Sequence, residues 1–136
     1  MQFKTDELIS EWLDERLKTD VKAIVYAAVG RASDIYPNLK ARITAVYYQK
    51  GQYGSQTSVH EEWRGVDMSL VGSDVGEADT AMKELTQWLN DTFFIPGADM
   101  KVAVYHTTGY GWHIHIQVSR MGGTIILRRT GILTTN

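Results

Sequence analysis

The hydrophobic positions fall into two kinds of period, and their order predicts the elements. Leu8, Ile9, Trp12, Leu13 and Leu17 recur at helical spacing. A second helical pattern starts near Asp20 and runs through Val21, Ile24, Val25, Ala28, Val29, Ala32, Ile35 and Tyr36. Pro37 ends it, because the residue before a proline is pushed out of the helical region. Ile43 to Tyr48 is rich in β-branched and aromatic residues and predicts a strand. Gly51 to Ser58 has loop composition. Val66-Asp67-Met68-Ser69-Leu70 alternates strictly, as a half-buried strand does. Asp74 with Glu77 three residues on resembles a capping box. It opens a helix carrying Ala78, Ala81, Met82, Leu85, Trp88, Leu89 and Phe93 on one face, closed by Pro96-Gly97. Lys101 to Tyr105 is strand-like, and Trp112 to Val118 alternates again. Gly122-Gly123 allows a tight turn into Thr124 to Leu127, which predicts a terminal β-hairpin.

Helices beside runs of strand predict an α+β fold: a small, mostly antiparallel sheet with helices on one face. The other face is then free to line a cleft. A chain of 136 residues is the size of one domain, 43% hydrophobic and 22% charged, within the ordinary globular range. Residues 1–19 form an N-terminal helical segment, about 20–120 the core, and 121–136 a hairpin strand and tail. No apolar run reaches the roughly 20 residues that span a bilayer. No basic-then-apolar leader opens the chain, so no signal peptide is expected. A net charge of -2 gives no overall nucleic-acid footprint, although residues 61–99 hold nine acids and the segment from Gly109 onward holds three arginines and no acid. The expected partners therefore include neither nucleic acid nor membrane.

Cysteine is absent, so a metal site must be built from His, Asp and Glu. Strand alternation places His113, His115 and Gln117 on one face and Ile114, Ile116 and Val118 on the other, core-facing one. Val66, Met68 and Leu70 face the core by the same logic, and Asp67 and Ser69 face away. If the two strands share a sheet, Asp67 and the His pair meet over its non-core face, and His60, seven residues before Asp67, can return to the same place. Two His and one carboxylate around an open position describe a catalytic zinc site. A His-x-His on a strand is also common surface decoration, so the combination with Asp67 is the informative part.

Ser58-Val59-His60-Glu61-Glu62-Trp63-Arg64-Gly65-Val66-Asp67 resembles the S-x-H-x(6)-D motif of the LAS metallopeptidases. That group takes in lysostaphin-type enzymes, D-alanyl-D-alanine carboxypeptidases and dipeptidases, murein endopeptidases and the hedgehog N-domain. His113-Ile114-His115 looks like its downstream H-x-H, about 50 residues on. The resemblance implies a hedgehog or D-alanyl-D-alanine-peptidase-like fold, with His60, Asp67 and His115 as ligands of a zinc ion. It implies a peptidase acting on bacterial cell-wall (peptidoglycan) peptides, of the phage endolysin or virion-associated type. Such a protein resides in the host cytoplasm or the virion and reaches the wall by lysis or delivery. Because the hedgehog domain resembles this group too, a non-catalytic virion or binding protein on the same fold, with virion proteins as partners, is the alternative.

The chain departs from the family pattern at four places, one of them mild: Gly65 stands where Ala is expected before Asp67. Trp63 stands where the family usually has Gly, and it is expected to be bulky beside the site. Many members place a Glu shortly before the last His; here Thr107 to Trp112 hold no acid. The proton acceptor is then sought in His113, about 7 Å along the strand face from His115, with His106 supporting the oxyanion or the substrate. Where the family often holds substrate with an Arg, this chain has Tyr47-Tyr48-Gln49-Lys50, so Lys50 is a candidate substrate-binding residue alongside Arg64 and Ser58.

Overall fold

In the computed structural model, the residues described are 1–49, 52, 59–96, 100–107, 111–120 and 126–127. The fold is α+β. The elements are β1 (Gln2–Phe3), α1 (Asp6–Leu13), α2 (Thr19–Ile35), β2 (Lys40–Ala45), a 3-10 turn (Val59–Glu62), β3 (Gly65–Val71), α3 (Val75–Thr92), β4 (Phe93–Phe94), β5 (Ala103–Thr107), β6 (Trp112–Gln117) and β7 (Ile126–Leu127).

Local chemistry explains the helix ends. Helix α2 stops at Ile35, with Tyr36 N–H donating back to Ala32 O at 2.8 Å before Pro37. Helix α3 starts where the Asp74 side chain accepts Glu77 N–H at 3.1 Å, which satisfies one of the free donors of the first turn. Its buried face is Ala78, Ala81, Met82, Leu85 and Leu89, the predicted stripe. Trp88 is only partly buried, and Phe93 already belongs to β4.

Five strands form one sheet in the order β1-β2-β3-β6-β5. The β1–β2 pair is parallel and the other pairs antiparallel, so the sheet is mixed. Helices α2 and α3 touch each other and pack on the same strands. The core-facing residues of those strands, Ile43, Val66, Met68, Leu70, Ile114 and Ile116, are fully buried. Leu8 and Trp12 of α1 join the same core, with Trp12 edge-on to Tyr26 of α2 and to Phe3 of β1. The predicted parity of both alternating strands therefore holds.

Three sequence expectations change. The second strand ends at Ala45 rather than Tyr48: the register runs Ile43 opposite Met68 and then Ala45 opposite Asp67, so Thr44 is an extra, bulged residue. The two-residue β1 has no counterpart among the expected elements. The terminal hairpin does not form, because Ile126–Leu127 pairs with Phe93–Phe94 instead. The reason is topological: β6 already has β3 on one side and β5 on the other, so no edge is left for a returning strand. Among the described residues, no helix is long and apolar enough to cross a membrane.

Candidate metal centre

The sheet face away from α2 and α3 gathers polar chemistry. Asp67 lies opposite His115 across β3–β6, and His106 lies opposite His113 across β5–β6. His60 arrives from the 3-10 turn, which returns tightly onto β3 through Arg64 N–H to Val59 O at 3.1 Å. Gly65 permits the approach, since a side chain there would overlap Val59 Cγ2 and stand 3.3 Å from the His115 ring. His60, Asp67 and His113 are buried and His115 nearly so.

One carboxylate organises the rings. His115 Nδ1 is 2.8 Å from Asp67 Oδ1, and His60 Nε2 is 3.1 Å from the same oxygen. His113 Nε2 stands 3.5 Å from Oδ2, which also accepts the Tyr48 hydroxyl at 3.3 Å. The His106 ring stands 4.6 Å from that of His113 and 5.8 Å from that of His115. Its Nε2 is buried without a hydrogen-bond partner among the described residues.

The outward nitrogens fix what the inward ones offer. His60 Nδ1–H donates to Val46 O at 3.0 Å, because a carbonyl has no proton to give. His115 Nε2 meets Gln117 Oε1 at 3.0 Å, and the Gln117 amide is oriented by its NH2 group, which donates to Lys101 O at 2.9 Å. His115 Nε2 is therefore also a donor. Both imidazoles thus use their neutral-form proton on the outside. Each turns a lone pair inward, toward an already negative oxygen. Three lone-pair atoms facing one another are repulsive unless a cation lies between them or each inward nitrogen takes a second proton. Outward hydrogen bonds that fix the tautomer and aim the free nitrogen are the outer partners of a metal-ligating histidine. His60, Asp67 and His115 offer ligand atoms all within 4.8 Å of one another, a group that can bind a metal ion.

Burial alone would raise the Asp67 pKa, but where the inward nitrogens donate to it, as they can only without a metal ion between them, the bonds from His115 and His60 hold the carboxyl far below the usual carboxylate range. Burial pushes the His106 imidazole below the usual histidine value, and the neighbouring His113 and His115 add to it. His106 is accordingly neutral at pH 7.

The remaining expected residues fall as follows. Arg64 donates to Glu62 Oε1 and to Val118 O, both at 2.8 Å, so its guanidinium fastens the end of β6 to the 3-10 turn. Lys50 and Ser58 lie outside the described residues. Trp63, expected to be bulky beside the site, stacks on Tyr47 with ring centres 4.4 Å apart, and the Arg16 guanidinium lies 4.4 Å from its ring centre. Its φ of 57° is left-handed, the conformation glycine adopts without strain. A tryptophan held through packing thus takes up a backbone conformation that favours glycine.

Two contributors were not assigned a role from sequence. Gln117 shares the strand face of the two His, and that parity is its signal. Tyr48, whose ring packs 4.4 Å from that of His60, gives no signal, because the Thr44 bulge breaks the alternation that would place it. A cavity of about 660 Å³ lies away from this centre. It lies beside α3 between Leu70, Met82, Tyr105 and Trp112, and shares only Ser69 with a small cleft at Asp67. The ligand-atom convergence, not cavity size, identifies the candidate site. No protein-family model matches this sequence, and no curated protein does.

Proposed function

We propose that the protein is a zinc-dependent peptidase acting on peptidoglycan peptides, on a fold of the hedgehog and D-alanyl-D-alanine-peptidase kind, in the manner of a phage endolysin or virion-associated hydrolase. The observation that carries the reading is the pair of inward lone pairs, His60 Nε2 and His115 Nδ1, aimed at one oxygen of Asp67. Two imidazoles and one carboxylate are the donor set of catalytic zinc sites with an open position. Bound there, zinc would polarise a scissile carbonyl and bring the pKa of water to about 7. Tyr48 holds Asp67 Oδ2, which leaves Oδ1 to the ligand side. His113, its Nδ1–H fixed on Gly111 O at 3.2 Å, presents Nε2 to the same pocket and is the proposed proton acceptor, later donating to the leaving amine. His106, whose Nε2 has no hydrogen-bond partner among the described residues, stands behind it as support for the oxyanion or substrate.

Cleavage of muropeptides by the zinc-loaded protein and by His113→Ala tests this reading. We expect wild-type turnover and a loss of about 10²-fold or more in the variant with zinc retained. Near-normal turnover removes His113 from the mechanism. Absence of turnover in zinc-loaded wild type favours the second reading, a metal-binding but non-catalytic virion or binding protein. One observation supports that second reading: among the described residues, the carboxylate that pairs with the rings is Asp67, which is taken up as a ligand candidate rather than a base.

A further inference from the structure

On the helix side of the sheet, away from the metal centre, the core layer has a gap. Strand alternation puts Trp112 on the same face as Ile114 and Ile116, and Tyr105, opposite Ile114, shares that face. Ile114 and Ile116 are fully buried, whereas Trp112 is 56% exposed. The cavity of about 660 Å³ explains the difference: Leu70, Tyr105 and Trp112 line it from the sheet, and Val75, Ala78 and Met82 from α3. At Ala78 the helix brings only a methyl group to it. Tyr105 and Trp112 form a tilted pair, with ring centres 5.1 Å apart and planes at 37°. The Tyr105 hydroxyl donates to Asp79 Oδ1 at 2.7 Å, which ties the aromatic wall to the helix and keeps the space between them open. A core-side aromatic surface left in water is apolar area that a ligand can cover.

We propose that this cavity binds a small, neutral molecule built on an aromatic ring system. Its volume falls within the roughly 300–1,000 Å³ of small-molecule sites, which are mostly apolar with a few polar groups at the edge. Charge sets the neutrality. Among the described lining residues the charged ones are Asp79 and Lys83, and they pair with each other at 3.1 Å, so the edge carries no net charge for an ion to answer. The lining chemistry sets the ring. Leu70, Ala78 and Met82 offer no side-chain hydrogen bond, and Ser69 Oγ already donates to Trp112 O at 3.1 Å. A sugar ring would bury hydroxyl groups there without partners, which is costly, while a flat apolar ring packs edge-on or offset against Tyr105 and Trp112. This site stands independently of the metal centre and of the peptidase reading.

The test is a fluorescence titration of the full chain with prodan, a neutral naphthalene dye whose emission shifts to the blue in apolar surroundings. Saturable binding at about one site per chain is expected. Trp112→Ala, which removes one wall, and Ala78→Leu, which fills the space from the helix side, should each weaken it by about ten-fold or more. Should Ala78→Leu fail to fold, Trp112→Ala decides alone, because a half-exposed side chain can be removed without opening the core. The anionic dye anilinonaphthalene sulfonate should bind more weakly than prodan, and the trimer of N-acetylglucosamine should not displace it. No saturable binding, or binding undiminished in folded Trp112→Ala, overturns the site. Tighter binding of the anionic dye overturns the neutral ligand, and displacement by the sugar overturns the aromatic one.

Discussion

Asp67 lies at the meeting point of four side chains, and the partners on the far side of each ring decide what it can hold. Gln117 shows this most directly. Its NH2 group on Lys101 O leaves only its carbonyl oxygen for His115 Nε2–H, which turns His115 Nδ1 into an acceptor. A Gln117→Leu variant should keep the fold, since the side chain is only partly buried, and should bind zinc about 10–100-fold more weakly, the usual effect of removing an outer partner. Competition titration against a zinc chelator measures it; unchanged affinity would show that the tautomer is not set by Gln117.

At the scale of elements, the site depends on how closely the 3-10 turn sits on β3. Gly65 allows that contact, and Gly65→Ala should cost about 1–3 kcal/mol by overpacking Val59. Urea unfolding should register this loss, and zinc affinity should fall with it, because His60 and the His115 ring lie on the two sides of the clash. A neutral variant would mean that the turn adjusts freely. Much at this scale is legible in the sequence. The alternation in Val66–Leu70 and Trp112–Val118 is unbroken, so it states which face is buried and which carries Asp67, His113 and His115. The ends of α2 and α3 are legible because Pro37 and Asp74 act locally. What is not legible depends on contacts far apart in the chain. The bulge at Thr44 is defined by the register against β3, so the residues after it lose their parity. Strand β1 is two residues long and exists through pairing with β2, so it carries no local signal. The partner of β7 follows from which sheet edges are already taken. Trp63 is legible only in part: residue size is visible in the sequence, but its stacking on Tyr47 is not.

Over the whole molecule, the buried charge couples folding to acid. The Asp67 carboxyl is held below its ordinary range, so the folded chain binds fewer protons there than the unfolded chain. Its stabilisation is complete above the unfolded carboxylate pKa of about 4 and is lost as pH falls through the folded value. Metal-free wild type should therefore lose more stability between about pH 4.5 and 2.5 than metal-free Asp67→Asn does. Urea unfolding at the two pH values compares them, and equal losses would show that Asp67 is not held ionised by its histidines. A metal ion bound only by the folded state adds stability in proportion to the logarithm of its free concentration over its Kd. It should unbind in acid as the ligands take up protons.

The most direct test of the centre is elemental analysis of wild-type protein purified without chelator, beside His115→Ala and Asp67→Ala. About one zinc per chain in the wild type, and loss of it in both folded variants, is the predicted result, because each removes one donor from a set whose atoms lie within 4.8 Å. A folded wild-type protein that takes up no metal even after incubation with excess zinc would contradict the account. The inward nitrogens of His60 and His115 would then carry protons, and the three side chains would form a buried ion-paired cluster.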